Sequence, residues 1–480
     1  MGDDRITETH VSRVVFVGDR VYKAKKPVEL GFIDLSSTSA RLQACRDEVR
    51  LNSRLAPDVY DGVGVFRFPD GREEPVVVMK RLPADGSLSE LVRQDDPRLV
   101  EHITAIAEAV ARFHEKADRG DEIDRSASPD AVRRLWEENL TELSAASGEQ
   151  LARSVLQEAQ ARAARFLQGR SELLQERVLA GRIVDGHGDL LADDIFFPDN
   201  RPRIIDCLEY RADLRWGDTL LDVAFLAMDL ARLGRPDVGA LFLDRYREHS
   251  GDSWPDSLAH FYVAYRASIR AKVACIRART DEAVNLMAIC VDHLRGASVR
   301  LVLVGGLPGT GKSTLAAGLR EATGWELVGT DATRKRLAGK DPTADATSAW
   351  KDGLYAPDVT EAVYAELLRQ AETSLRRGQS VILDGTWSRQ SWRAAAADLA
   401  GATSSDLFQL RCDLPMELSA GRIRNRLASG ARESDATPDV ALAMAAVADP
   451  WLEAETVDTS VGPEEAVSSA LGVVPRAPAL

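Results

Sequence analysis

Cysteine is scarce in this chain and shows no pairing pattern. The five residues Cys45, Cys207, Cys275, Cys290 and Cys412 include no C-x-x-C spacing. An odd, scattered set argues against a disulfide framework and fits reduced thiols. The seven histidines form no grouping with cysteine at zinc spacing, so lone ones such as His114 and His260 are expected to pack or hydrogen-bond. No charge-free apolar run is long enough to span a bilayer, and MGDDRITETH has no apolar signal core. These absences predict a cytoplasmic protein with no membrane association. There is no basic excess either. The net charge is −14, which disfavours broad nucleic-acid or anionic-membrane binding, and basic and aromatic residues are not interleaved. Internal repeats and low-complexity tracts are also absent.

What is present is an ordinary globular composition, 45% hydrophobic and 28% charged, over 480 residues. That length suggests two or three domains, each able to bury a core. The most informative stretch is LVLVGGLPGTGKSTL, Leu301 to Leu315. An apolar strand-like run meets Gly306 to Ser313, which fits G-x-x-x-x-G-K-[ST], and a helix-favouring AAGLREA follows. Gly306, Gly309 and Gly311 let the backbone curl so that successive N–H groups, including those of Thr310 and Thr314, face phosphate oxygens. The helix start adds its positive dipole end. In this pattern Lys312 reaches the β- and γ-phosphates and Ser313 ligates magnesium. The chain is therefore expected to bind ATP with Mg2+.

A large domain precedes this loop. Val14 to Val28 reads as a hairpin turning at Gly18-Asp19, and Ser37 to Leu55 as a helix. A second strand pair is expected over Gly62 to Leu82, turning at Pro69-Asp70-Gly71. The pattern is then mainly helical to about Arg182. Arg182 to Tyr210 reads as a tight loop, a short strand, a turn at Pro198-Asp199-Asn200 and another short strand, and helical periodicity resumes from Asp218 to about Leu294. The outline is a small strand-rich lobe, a helical lobe, and a polar hairpin between them.

His187-Gly188-Asp189-Leu190 and Ile204-Ile205-Asp206 give that outline a specific content. This region resembles the aminoglycoside phosphotransferase family, relatives of the protein kinases. The resemblance implies that Asp189 orients or deprotonates the acceptor hydroxyl, and that Asp194 and Asp206 hold magnesium. Lys23 or Lys25 would contact the α- and β-phosphates. Their alternation puts both on one strand face and leaves the choice open. Glu48, on the following helix, is the matching ion-pair partner. Two positions depart from the family pattern: Asp194 stands where an Asn is usual, and Leu191 where a His is usual. Aspartate is a good hard-oxygen ligand, but it adds negative charge beside the ATP phosphates. Asp218 and Asp222 lie one helical turn apart, and Asp218 is expected to cap the next helix.

Past the glycine-rich loop, Asp331 sits where a second strand of a P-loop kinase ends and is the candidate base or orienter. Arg334 and Lys335 are placed to hold an anionic substrate group. Asp384, in SVILDGTW, resembles a Walker B acid that positions magnesium. GRIRNRL reads as a lid helix whose Arg422 and Arg426 share one face and close over the phosphates; a solvated basic face is the alternative.

The whole arrangement resembles two-domain bacterial proteins that fuse an aminoglycoside phosphotransferase-like domain to a P-loop kinase domain of the zeta toxin/polynucleotide-kinase type. VYKAKKPVELGFIDLS and EVRLNSRLAPDVY look like that family's N-terminal signatures. The expected fold is an α+β protein-kinase-like bilobal domain over 1–296, then an α/β P-loop kinase domain with a parallel sheet over 297–475. The short connection from Gly296 to Val299 predicts a fixed arrangement of the two. The implied activity is transfer of the γ-phosphoryl group of ATP to a hydroxyl of a small molecule. The alternatives are a single active P-loop kinase, or a nucleotide-sensing protein with a protein partner, each regulated by a catalytically weak N-terminal domain. A polynucleotide acceptor is disfavoured by the acidic charge.

Overall fold

The computed structural model describes residues 6–8, 11–30, 33–339, 356–429 and 437–475. Most of the N-terminal decapeptide read above for a signal lies outside them.

The strand-rich lobe is a five-stranded antiparallel sheet in the order Ile6–Glu8, Ser12–Val17, Arg20–Lys25, Glu73–Lys80, Tyr60–Arg67. The expected first hairpin pairs Val14 with Lys23 and turns at Gly18, whose φ of 58° a residue without Cβ adopts freely. The expected second pair is also present, with a bulge between Tyr60 and Gly62. Helix Thr38–Asn52 begins where Ser37 Oγ accepts from the Ala40 N–H, and it buries Cys45, Glu48 and Leu51 against the sheet side. Lys23 and Lys25 on the central strand therefore face Glu48 on the helix.

The helical lobe packs around Trp136, Phe166, Phe261 and Tyr265. The Phe166 and Phe261 rings stack at 4.0 Å, and Trp136 lies 5.0 Å from Phe261. Between the lobes, strand Ile183–Asp185 leads into the His187–Asp189 loop. Ile195–Phe196 then pairs with Arg203–Ile204 across a turn at Asn200, as the sequence reading expects. Asp218 caps helix Thr219–Arg232 through the Leu220 N–H, and it also binds Arg177 at 2.7 Å.

The C-terminal sheet is parallel throughout, in the order Glu326–Gly329, Val381–Asp384, Arg300–Gly305, Asp406–Asp413, Glu455–Asp458. Both faces are covered, so the central strand reads as an unbroken apolar run. Leu301 and Leu303 pack toward Trp387, Trp392 and Leu367, while Val302 and Val304 pack toward Leu315, Leu319 and Ala470. Parallel strands align their C-terminal ends, and this places Gly305, Gly329 and Asp384 along one edge. The register pairs Gly329 with Asp384 and Val304 with Asp384.

The two halves touch along a polar seam. Arg170 Nη1 donates to the Thr403 carbonyl at 2.7 Å, Ser257 Oγ to the Gly378 carbonyl at 2.7 Å, and Arg165 pairs with Asp406 at 2.9 Å.

Candidate active site

In the N-terminal half the structure separates the two lysines. Lys23 Nζ lies 2.9 Å from Glu48 Oε1 and donates to Asp206 Oδ1 at 2.9 Å. Lys25 Nζ reaches Glu48 Oε2 at 2.5 Å and Glu209 Oε1 at 2.7 Å, with its side chain fully buried. Glu48 thus bridges both ammonium groups, and Lys23 is the one that faces the open carboxylate. Asp206 takes a left-handed φ of 64°, a conformation that aspartate tolerates better than most residues. Half of its side chain remains exposed. Its pKa is lowered chiefly by the Lys23 charge, against burial.

Asp189 and Asp194 behave oppositely. Burial, with Asp206 adding like charge, pushes Asp189 up to about 6. Asp194 is pushed well above the usual carboxylate range by burial first, then by Asp206, Asp189 and Asp193. The structure brings these three acids together as the sequence reading proposes.

The loop carrying Asp189 is held from below by Asp222, a residue to which the sequence reading gives no role. Asp222 Oδ2 accepts from the His187 N–H at 2.7 Å, and Oδ1 accepts from the Gly188 N–H at 2.8 Å. His114 Nε2 lies 3.0 Å from Oδ2, and Tyr246 OH lies 2.7 Å from His114 Nδ1. Burial opposes ionisation of Asp222, yet these bonds hold its pKa well below the carboxylate range. His187 itself is buried, and burial lowers it to about 4, so it stays neutral near pH 7. The loop is further tied by Arg54 Nη2, which donates to the Gly186 carbonyl at 2.9 Å. Asn52 Oδ1 accepts from the Cys207 N–H at 2.8 Å. Each of these residues lies far from the loop in sequence, which is why local motifs do not reveal them.

In the C-terminal half, helix Lys312–Thr323 starts at Gly311, φ 90°. A Cβ on Gly309, φ 82°, would fall 2.7 Å from the Ser419 carbonyl oxygen, so glycine is required there both by backbone conformation and by space. The loop is laced to the last strand's end: Thr459 Oγ1 donates to the Thr310 carbonyl at 2.5 Å, and Thr310 Oγ1 donates to Leu307 O at 2.8 Å. Two cavities meet at Ser313 and Thr314. One, about 270 Å³, is lined by Gly309, Gly311, Lys312, Arg422 and Arg426. The other, about 1100 Å³, is lined by Gly329, Asp331 and Asp384. Arg422 is anchored by donating to Thr459 O at 2.8 Å, and Arg334 Nη1 donates to Asp331 Oδ1 at 2.7 Å. Burial raises the Asp384 pKa, while Lys312 and a Ser313 hydrogen bond oppose the rise. Its Oδ1 is buried without a hydrogen-bond partner.

Both acid sets fit magnesium. Among the described residues no group of three or more His, Cys, Asp or Glu side chains forms a closed metal site. Magnesium beside nucleotides takes only one or two carboxylates and completes its shell with phosphate oxygens and water. Asp194 and Asp206 in one half, and Ser313 with the orphaned Asp384 oxygen in the other, supply that kind of set. The charge crowding at Asp194 is what a bound cation would relieve.

Comparisons with known proteins match each half of the chain to a family model. A family model described as phosphotransferase enzyme family matches residues 31–260, and one described as AAA domain matches residues 301–451. The chain is a kinase-type enzyme built from a phosphotransferase-family region and a P-loop region. It is 43% identical over 467 residues to the uncharacterized protein Rv2004c of Mycobacterium tuberculosis, covering 96% of this chain and 93% of that protein. The uncharacterized protein Mb2027c of Mycobacterium bovis matches to the same extent. The chain belongs to the family of these mycobacterial proteins. Among solved structures, it is 18% identical to a glucosamine kinase in complex with glucosamine, ADP and inorganic phosphate. That match has a TM-score of 0.40 and covers 60% of this chain and 75% of the other. A choline/ethanolamine kinase family protein from Mesorhizobium loti is 15% identical, with a TM-score of 0.39, covering 61% and 88%. A sugar kinase from Janibacter is 21% identical, with a TM-score of 0.29, covering 38% and 97%. No helix among the described residues is long and apolar enough to cross a membrane.

Proposed function

We propose that the protein is an ATP- and Mg2+-dependent phosphotransferase with two nucleotide sites, one in 1–296 and one in 297–475, acting in the cytoplasm on small hydroxylated molecules. The observation that carries transfer in the C-terminal half is the meeting of two cavities at Ser313 and Thr314; the N-terminal half rests on Lys23 held between Glu48 and Asp206. The smaller cavity has the glycine-rich loop, Lys312 and two arginines, a bed for polyphosphate. The larger one has Asp331 and Asp384, a bed for an alcohol.

In this reading the acceptor oxygen attacks the γ-phosphorus while the bond to the β–γ bridging oxygen breaks, and ADP leaves. The hydroxyl proton passes to Asp331 in the C-terminal half and to Asp189 in the N-terminal half. Lys312, Arg422 and Arg426 meet the charge on the equatorial and leaving oxygens, and Lys23, oriented by Glu48, does so at the other site. Lys25 holds Glu48 and Glu209 in place. Magnesium, when bound, neutralises phosphate charge and aligns the γ-group for in-line displacement.

A second reading has one specific observation in its favour. Asp194 is crowded by Asp189 and Asp206, so its ionisation is suppressed. That favours a weak N-terminal site regulating an active P-loop kinase. ADP release measured over pools of polyhydroxylated compounds tests both readings. Acceptor-dependent release lost in Lys312→Ala assigns the P-loop site, and release lost in Asp189→Ala assigns the other. ATP binding without release stimulated by any pool sinks the transferase reading and leaves nucleotide sensing.

A further inference from the structure

A third cavity lies in the seam between the halves, away from both sites. It measures about 960 Å³ and is bounded on one side by the segment from Ser253 to His260 and by Arg247. On the other side lie Ala322 to Glu326, at the far end of the P-loop helix, and Ser374 to Ser380.

Residues of its lining include buried hydrogen-bond donors without acceptors. Arg247 Nε, Trp254 Nε1 and Arg300 Nε are all buried, and each lacks a partner. Arg300 and Trp254 are 4% and 6% exposed. Arg300 opens the central strand of the C-terminal sheet. Its two terminal nitrogens donate only to neutral carbonyls, Ser298 O at 2.8 Å and Arg295 O at 3.1 Å. No carboxylate among the described residues forms an ion pair with it. Asp406 acts on Arg300 only at longer range, because it pairs with Arg165; a buried guanidinium with so little counter-charge is costly, and so is each orphaned donor.

The other charges at the cavity are already committed. Arg377 pairs with Glu176 at 2.9 Å. Glu326 accepts from Ser374 Oγ, and Asp256 lies 3.6 Å from Arg247 Nη2. The guanidiniums of Arg247 and Arg300 rest over the Trp254 and Trp325 rings, at 4.6 and 5.6 Å from the centroids, which fixes their direction. The unmet demand is therefore for acceptor oxygens and negative charge.

We propose that this cavity is a binding site for a small oxyanion, a phosphorylated or polycarboxylated metabolite, held by Arg247, Trp254 and Arg300. The ligand's oxygens accept from the three free donors, and its charge offsets Arg300. Since one wall belongs to each half, occupancy fastens the seam.

The test is the indole N–H resonance of Trp254 in the full-length protein, assigned as the signal lost in Trp254→Phe. Inorganic phosphate and citrate are titrated separately, which distinguishes a phosphate from a polycarboxylate preference. The expected result is a saturable shift with at least one of them that persists in Lys312→Ala. Arg247→Gln or Arg300→Gln is expected to weaken that binding roughly tenfold or more, as the loss of a charged hydrogen bond does. Arg247 is partly exposed, so its variant keeps the test decisive if Arg300→Gln fails to fold. A signal unmoved by either anion overturns the proposal. So does a shift that disappears in Lys312→Ala, because that anion would have reached the P-loop instead.

Discussion

Lys23 Nζ sits 2.9 Å from Asp206 Oδ1, so a strand of the small lobe and the loop after Ile204 are joined at one ion pair. Lys25, two residues along on the same strand face, is bound instead to Glu209. The lysines therefore differ in consequence. Lys23→Met is expected to weaken nucleotide binding at the N-terminal site with a small change in melting temperature. Lys25→Met leaves Glu48 and Glu209 buried with one cation fewer, and is expected to cost about 3–5 kcal/mol of stability. Thermal unfolding with and without ATP separates the two.

Asp222 carries the catalytic loop without reaching the reacting atoms, so it is a positioning residue. In Asp222→Asn one amide oxygen accepts from a single N–H, and the amide nitrogen faces the other donor. We expect about a 10–100-fold loss of kcat at the N-terminal site with KM for ATP little changed. Asp218→Asn loses its pairing with Arg177, and is expected to lower stability without that kcat signature.

The raised Asp189 pKa has a pH consequence with a definite sign. Its folded value is about 6, against about 3.9 for an ordinary aspartate, so between these the folded state binds more protons than the unfolded one. Stability from this group therefore falls as pH rises through that window. In nucleotide-free protein, Asp189→Asn should melt above wild type at about pH 7.5, and the gap should close toward about pH 4, below the folded value. A constant gap across the range would contradict the assignment.

Gly169 packs where a side chain would fall on the Thr403 carbonyl across the seam. Gly169→Ala is expected to destabilise by about 1–3 kcal/mol through overpacking. Limited proteolysis checks it, with cleavage near the seam appearing earlier than in wild type.

How much of this was legible beforehand depended on sequence distance. The glycine-rich loop, its flanking strand and helix, and Asp384 at a strand end follow from local pattern, because phosphate binding needs contiguous N–H groups. The hairpin at Gly18-Asp19 and the turn at Asn200 are legible because a turn is set by a few adjacent residues that tolerate positive φ. The choice between Lys23 and Lys25 was not, since it depends on where Asp206 and Glu209 fall across the lobe gap. Asp222, Arg54 and Thr459 were hidden because their work is to hold backbone groups of remote segments. Such contacts leave no spacing in the chain. The cavity at Arg300 was invisible too, because its arginines and tryptophans come from both halves.

The central claim is that two sites transfer phosphate, and label transfer tests it most directly. The protein is incubated with γ-labelled ATP, magnesium and a deproteinised bacterial metabolite extract, beside Asp189→Ala, Lys312→Ala and the double variant. Labelled products are separated by mass. Two working sites give a different subset of labelled small molecules lost in each single variant, and none formed by the double. Wild-type protein that binds ATP yet labels nothing beyond the double variant would contradict that claim.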